Sequence, residues 1–174
     1  MDKGTFTISL DFELFWGVRD KRSLSSYSKN LEGVWIAIPK ILNLFQKYEI
    51  HASWATVGFL FYNSIDDLGL DIPKNLPEYE NKNLSPYLYI QDNKINDNDK
   101  YHFAVKLIEY IKSTEGQEIS SHTFSHFYTM EKNSIKNSFE DDIKSFKKLC
   151  NTKNIEVRSI VFPRNQMNAE ILNI

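Results

Sequence analysis

The chain has 174 residues, of which 41% are hydrophobic and 25% charged, a composition typical of one soluble globular domain. Its net charge of −2 argues against nucleic acid as a partner, and its single cysteine excludes an intrachain disulfide or a cysteine-based zinc site. No apolar run approaches the ~20 residues of a membrane span, and no signal region precedes the first strand pattern, so the sequence predicts a cytoplasmic protein.

The first third of the chain predicts two strands around a helix. Residues 5–12 and 51–59 are rich in β-branched and aromatic residues, which favour strands. Residues 14–32 show no clear period and predict a loop. Apolar residues recur at helical spacing over 31–49, and Pro39 inside this run indicates that the helix kinks there or begins near it.

The remainder of the chain repeats the alternation after an interruption. Residues 63–98 are dense in Asn, Asp, Pro, Lys and Tyr and predict an insertion or long loop with a short helix or two. Amphipathic patterns over 99–113 and 134–150 predict helices, and 117–122 and 157–163 predict strands. Strands that alternate with helices indicate an α/β fold, a parallel sheet or barrel of βαβ units in a single domain.

Polar residues lie where three of the predicted strands end: Asp11 and Glu13 at the first, His122 and His126 at the third, and Arg164 at the fourth. Functional residues of parallel α/β folds gather where strands end, so we expect these side chains to share one face. A simpler interpretation stays open for each: a chance histidine pair, solvated edge carboxylates and a surface cation.

Two histidines four apart would lie on one side of a helical turn, so both could reach one ion. Two histidines and one carboxylate leave coordination positions for water and substrate, which is typical of a catalytic metal site. A bound Zn²⁺ would lower the pKa of its water to ~7, and a second carboxylate could then act as general base.

The segment GQEISSHTFSH, residues 116–126, closely resembles the second motif of the polysaccharide deacetylases, the NodB homology domain of carbohydrate esterase family 4. TISLDFE resembles the first motif of that family, HASWATVGF the strand that follows it, and VFPRNQ the third motif. The resemblance covers most of the chain outside residues 63–98. It implies a distorted (β/α) barrel and metal-dependent removal of N- or O-acetyl groups from an acetylated glycan.

The resemblance also implies roles for individual residues. His122 and His126 match the metal ligands of the family, and Asp11 matches its general base. Phe12 stands where the family has a second aspartate, so the metal carboxylate is placed at Glu13, as in relatives with an Asp-x-Glu motif. The arginine that orients the base would be Arg164, with Arg158 as the alternative, and the expected metal is a divalent ion, foremost Zn²⁺.

The chain departs from the family after the third motif, because no histidine follows His126 to serve as the general acid. We therefore expect an incomplete barrel whose uncovered sheet edge either leads to a homo-oligomer or is buried in some other way. Two further hypotheses stay open: a catalytically impaired remnant that binds metal or glycan in surface-polysaccharide assembly, and a related hydrolase of non-sugar amides.

Overall fold

The structure, a computed structural model, describes residues 4–132, 136–169 and 171. These residues form three strands and five α-helices, with one helix between the first two strands and three between the second and third. The strands are β1 (Ser9–Phe12), β2 (Ala52–Thr56) and β3 (Gln117–Ser121). The helices are α1 (Leu24–Lys47), α2 (Ile65–Gly69), α3 (Pro86–Asp92), α4 (Val105–Ser113) and α5 (Lys136–Thr152). Ile135, which the sequence pattern places on the apolar face of the last helix, lies outside the described residues.

The three strands form one parallel sheet in the order β1-β2-β3, which confirms the predicted α/β class. Phe12 pairs with Thr56 and Thr56 with Ser121, so the carboxyl ends of all three strands lie level at one edge of the sheet. The sheet is not closed within the described residues. The barrel therefore stays a prediction.

The predicted fourth strand, 157–163, is wrong as a regular strand. The segment forms only an isolated parallel bridge between Ile160 and Ser121. Two main-chain bonds of 2.9 Å hold it: Ser121 N–H donates to the Ser159 carbonyl, and Val161 N–H donates to the Ser121 carbonyl. Pro163 has no N–H to extend this ladder. The bridge nevertheless brings residues 159–161 beside the end of β3.

Helix α1 begins at Leu24, earlier than the sequence pattern predicts, and it runs through Pro39 to Lys47. The Ser23 hydroxyl accepts a bond from Ser26 N–H, and this N-cap starts the helix. Proline inside a helix costs ~3 kcal/mol. Leu31, Ile38 and Leu42 are buried on one face of α1, and at ~1.5–3 kcal/mol for each side chain their burial outweighs that cost.

The predicted insertion, residues 63–98, contains two short helices, α2 and α3, in agreement with the sequence pattern. It is packed against the rest of the chain, because Tyr79 and Tyr87 are buried and the Tyr79 ring lies 5.9 Å from that of Tyr128. Helix α4 begins at Val105, since residues 99–104 form a turn closed by Phe103 N–H and the Asp99 carbonyl. Among the described helices, none has the length and apolarity needed to cross a bilayer.

Candidate metal centre

Three potential metal ligands converge at the carboxyl edge of the sheet. Glu13 directly follows β1, and His122 directly follows β3. One carboxylate oxygen of Glu13 lies 2.8 Å from His126 Nε2 and 3.3 Å from His122 Nε2. Both histidines are buried, whereas the Glu13 side chain keeps 27% of its surface exposed. One ligand atom from each of the three residues fits within 4.8 Å of the others.

The two histidines do not lie on a helical turn, so the expected local geometry is wrong although the side chains do meet. Residues 122–126 form an irregular loop in which Thr123 and His126 have positive φ angles of 64° and 59°. Two local hydrogen bonds stabilise it: Thr123 N–H donates to Ser121 Oγ at 3.0 Å, and Phe127 N–H donates to Thr123 Oγ1 at 2.7 Å. We call residues 122–126 the histidine loop.

Asp142 of α5 binds the main chain in the middle of the histidine loop. Its carboxylate is fully buried and accepts bonds from Phe124 N–H at 2.6 Å and Ser125 N–H at 3.1 Å, and also from the Ser125 hydroxyl. Burial raises the pKa of Asp142 to about 7, against the opposing effect of these three donors. The loop therefore depends on a carboxylate that lies between two of its main-chain N–H groups.

The short 3₁₀ helix Gly58–Phe61, which follows β2, binds the other side of the loop. Gly58 N–H donates to the Thr123 carbonyl at 3.0 Å, and Phe59 N–H donates to the Phe124 carbonyl at 3.1 Å. A Cβ atom on Gly58 would lie 2.6 Å from Phe124 Cδ2 and 2.8 Å from its Cα. Only glycine allows the two segments to approach this closely.

Electrostatics favour the ionised form of Glu13 and the neutral form of His126. Burial acts to raise the pKa of Glu13, but interactions with the adjacent His122 and His126 side chains outweigh it and lower this pKa to about 2. Burial lowers the pKa of His126, against the opposing effect of Glu13. Glu13 is thus ionised and His126 neutral near pH 7.

The orientation of the His122 ring leaves one nitrogen without a partner. His122 Nδ1 lies 2.9 Å from the Val161 carbonyl, which can only accept, so Nδ1 carries the proton. In the neutral ring, Nε2 then offers a lone pair towards Glu13. It is buried and makes no hydrogen bond to any described group. A buried lone pair that faces a carboxylate oxygen is unfavourable unless a cation lies between the two. This arrangement therefore favours a metal ion at the site.

One of the separations between the three residues fits a small cation directly. Ligands on a tetrahedral zinc ion with bonds of ~2.0–2.1 Å lie ~3.3 Å apart. The 3.3 Å between His122 Nε2 and the Glu13 oxygen is close to that value, whereas the 2.8 Å between His126 Nε2 and the same oxygen is the length of a direct hydrogen bond. Two imidazole nitrogens and one carboxylate oxygen match the ligand preference of Zn²⁺ and leave a position open. Within residues 4–132, 136–169 and 171, no second group of His, Cys, Asp or Glu side chains converges in this way.

The predicted general base, Asp11, lies beside this centre in a different environment. It is exposed, and no described side chain forms an ion pair or hydrogen bond with it. Asp11 and Glu13 both line an elongated cavity of about 330 Å³ between β1 and α1. The remaining lining is mostly apolar and includes Leu31, Val34 and Ile38.

The predicted arginines do not pair with Asp11. Arg164 forms an ion pair of 2.6 Å with Asp20, and its guanidinium carbon lies 4.4 Å from the centre of the Tyr128 ring. Arg158 is exposed and pairs with Glu156 at 2.6 Å. Arg164 is therefore linked to the candidate centre by its contact with Tyr128, and it does not pair with Asp11.

Sequence reasoning missed several residues that shape the centre, namely Asp142, Tyr128, Tyr79 and Gly17. Asp142 did leave a signal, because it lies three residues after Phe139 and four before Phe146, on the apolar face of α5. An acid at such a position must find internal donors. The other three depend on contacts between distant segments, and no local pattern reveals them.

No family model matches this chain, and no curated protein matches it significantly. The functional interpretation therefore depends on the chemistry of the centre and on the motif pattern of the sequence.

Proposed function

We propose that the chain is a metal-dependent hydrolase that removes acetyl groups from the amides or esters of a glycan, with Glu13, His122 and His126 as the metal ligands. The unpartnered, buried Nε2 of His122 facing the Glu13 carboxylate carries the metal part of this proposal. The resemblance of residues 116–126 to the second motif of the polysaccharide deacetylases carries the acetylated-glycan part.

In this proposal each residue has a defined task. Glu13, His122 and His126 would hold a divalent ion, foremost Zn²⁺. Such an ion, when bound, lowers the pKa of its water to ~7 and polarises the acyl carbonyl. Asp11 would accept the proton of the attacking water, since its exposed carboxylate shares a cavity with Glu13.

A second candidate function, a protein that binds metal or glycan without hydrolysis, is favoured by one observation. In the described part of the chain no cation pairs with Asp11, and the two expected arginines pair elsewhere: Arg164 with Asp20 and Arg158 with Glu156. A general base without an orienting partner is a weak catalyst. A hydrolase of non-sugar amides would use the same centre and differs only in its substrate.

Metal binding is tested first. The purified protein is stripped with a chelator, titrated with Zn²⁺ in competition with an indicator, and analysed for bound metal. We expect one ion per chain. We expect His122→Ala to weaken Zn²⁺ binding by more than ~100-fold, because the loss of a ligand should cost more affinity than the loss of a residue that only hydrogen-bonds a ligand. His51→Ala removes an exposed imidazole outside the centre and should bind as the parent does. Absence of bound metal in the parent protein would refute the proposal.

Hydrolysis is tested separately on the metal-loaded protein. Acetate release is measured from chitooligosaccharides, peptidoglycan fragments, acetylated xylan and an acetyl-lysine peptide, against a blank of metal alone. Acetate release from the glycans supports the deacetylase if the Asp11→Asn variant no longer shows it. Metal binding without acetate release from any substrate supports the non-catalytic candidate, and release from the peptide alone supports the hydrolase of non-sugar amides.

A further inference from the structure

Tyr128 is the side-chain partner of one metal-ligand candidate. It is fully buried two residues after His126, and its hydroxyl oxygen lies 3.0 Å from His126 Nδ1. The main chain at the same position is fixed as well, because Tyr128 N–H donates to the Tyr79 hydroxyl oxygen at 2.9 Å. The hydroxyl is thus held next to Nδ1 of His126, the ring nitrogen that does not face Glu13.

The two histidines are oriented by different kinds of partner. His122 Nδ1 donates to the main-chain carbonyl of Val161, which no substitution can remove. His126 Nδ1 has the Tyr128 hydroxyl, which one substitution can delete. In metal sites the second ring nitrogen of a histidine ligand is normally hydrogen-bonded, and this bond sets the orientation of the ring.

The Tyr128 ring is itself held by a charged pair. The guanidinium carbon of Arg164 lies 4.4 Å from the ring centre, within the range of a cation–π contact. Arg164 is fixed in turn by its 2.6 Å ion pair with Asp20, whose side chain is only 7% exposed. Arg164 has a positive φ of 56°, an uncommon conformation for a residue other than glycine.

We propose that Tyr128 is a positioning residue of the metal centre, whose hydroxyl orients His126, and that Arg164 and Asp20 hold the Tyr128 ring in place. The inference rests on the proposed function, because it presumes that His126 binds a metal. It gives Arg164 a task different from orienting the general base.

A hydroxyl suits this position because it serves both tautomers of the histidine. Without metal, His126 Nε2 lies 2.8 Å from the Glu13 carboxylate and donates to it, so Nδ1 accepts the phenol proton. With a ligand ion on Nε2, the proton moves to Nδ1, and the phenol oxygen accepts it. A phenyl ring could do neither and would leave a buried Nδ1 without a partner.

The decisive experiment is Tyr128→Phe, which deletes the hydroxyl and keeps the ring under Arg164. We expect its affinity for Zn²⁺, measured by competition titration, to fall by about 10- to 100-fold. Tyr62→Phe is the matched control, because it removes a hydroxyl of a buried tyrosine that bonds Asp71 away from the centre. The control should bind Zn²⁺ as the parent does. We expect Arg164→Gln to reduce affinity by a smaller factor, about 2- to 5-fold.

A spectroscopic readout separates positioning from general loss of stability. In the Co²⁺-substituted protein, each ligand histidine contributes a shifted Nδ1–H proton resonance. Tyr128→Phe should shift or broaden the His126 signal through faster exchange and leave the His122 signal in place. Equal Zn²⁺ affinity in the parent and Tyr128→Phe, or an unchanged His126 signal, would overturn the inference alone. Failure of the parent to bind Zn²⁺ would overturn the proposed function and the inference with it.

Discussion

Gly17 leaves the space that the Glu13 carboxylate occupies. It ends the short 3₁₀ helix Leu14–Gly17, and a Cβ atom at this position would lie 1.9 Å from Glu13 Cδ and 2.0 Å from Oε1. The obstructed group is the flexible end of a side chain, so the fold can accommodate a larger residue by moving Glu13. The carboxylate would then leave the two histidines.

We therefore predict that Gly17→Ala lowers the affinity for Zn²⁺ more than it lowers stability. The affinity should fall by at least ~10-fold, as expected when a ligand is displaced. Both quantities are measured on one preparation, by competition titration and by urea unfolding of the metal-free protein. Gly33→Ala is the control: Gly33 lies exposed in α1 with no atom near its Cβ position, so this change should stabilise the protein by ~1 kcal/mol. Unaltered Zn²⁺ affinity in Gly17→Ala would contradict the prediction.

At this scale the sequence predicted the ligand candidates but not their surroundings. Strand ends are identifiable from apolar alternation, and the candidates lie at such ends: Asp11, Glu13, His122 and His126. Gly17 and Tyr128 matter only through contacts with Glu13 and His126, and those contacts depend on how separate segments pack. A single sequence contains no pattern for such pairs.

Helix α5 stabilises the centre without contributing a ligand. Asp142 lies on its buried face and accepts both main-chain N–H groups in the middle of the histidine loop. The loop thus inherits its shape from the packing of α5, whose Phe146 and Leu149 are buried in the main core. The Asp142 carboxylate thus accepts main-chain hydrogen bonds that backbone carbonyl groups would accept in regular secondary structure.

The titration of Asp142 gives a pH dependence with a defined sign. Its pKa rises from an ordinary 3.8 to about 7 in the folded protein, so the folded state holds the proton more tightly than the unfolded state. Its contribution to stability is therefore greatest below pH ~4, declines as the pH rises to ~7, and is constant above that. Urea unfolding of the metal-free parent and of Asp142→Asn between pH 4 and 8 should show this decline only in the parent. A parent that gains stability relative to the variant over this range would contradict the assignment.

At the scale of elements, the amphipathic patterns predicted three of the five helices, and the boundaries shifted where caps and turns intervene. Helix α1 begins earlier than its apolar period because Ser23 supplies an N-cap. Helix α4 begins later because a turn at Asp99 precedes it. The predicted helical turn through His122 and His126 was wrong, since Thr123 and His126 have positive φ angles in a loop whose main chain binds Asp142 and packs against Gly58.

At the scale of the whole molecule, one edge of the sheet is open in the part of the chain that the structure describes. Strand β1 pairs only with β2 among the described residues, and the mostly apolar cavity of about 330 Å³ runs between β1 and α1. An unpaired edge beside apolar side chains favours association with another chain.

We accordingly expect the protein to self-associate through this edge. Light scattering coupled to size-exclusion chromatography should show a dimer or larger species at micromolar concentration. Val34→Lys places a charge in the cavity and should shift the protein to monomer. Ile36→Lys changes an exposed residue of the same helix that does not line the cavity, and should leave association unchanged. A monomeric parent at all concentrations would refute this expectation.

The alternation of strand and helix patterns was enough to predict the α/β class and the parallel sheet. It was not enough for residues 157–163, whose β-branched pattern predicts a strand although only Ile160 forms a bridge. Pairing requires a neighbouring strand in register, and that requirement is not visible in a local pattern.

In the proposed metal site, the bond from His122 to the Val161 carbonyl would couple the affinity for Zn²⁺ to the tertiary structure. The proton on Nδ1 is fixed by a main-chain atom 39 positions further along, on a segment attached to β3 through a single bridge. Detachment of that segment would free both nitrogens of the ring and lower its preference for the metal-binding tautomer. Loss of Zn²⁺ binding in a variant far from the centre would then report that this segment has separated from the sheet.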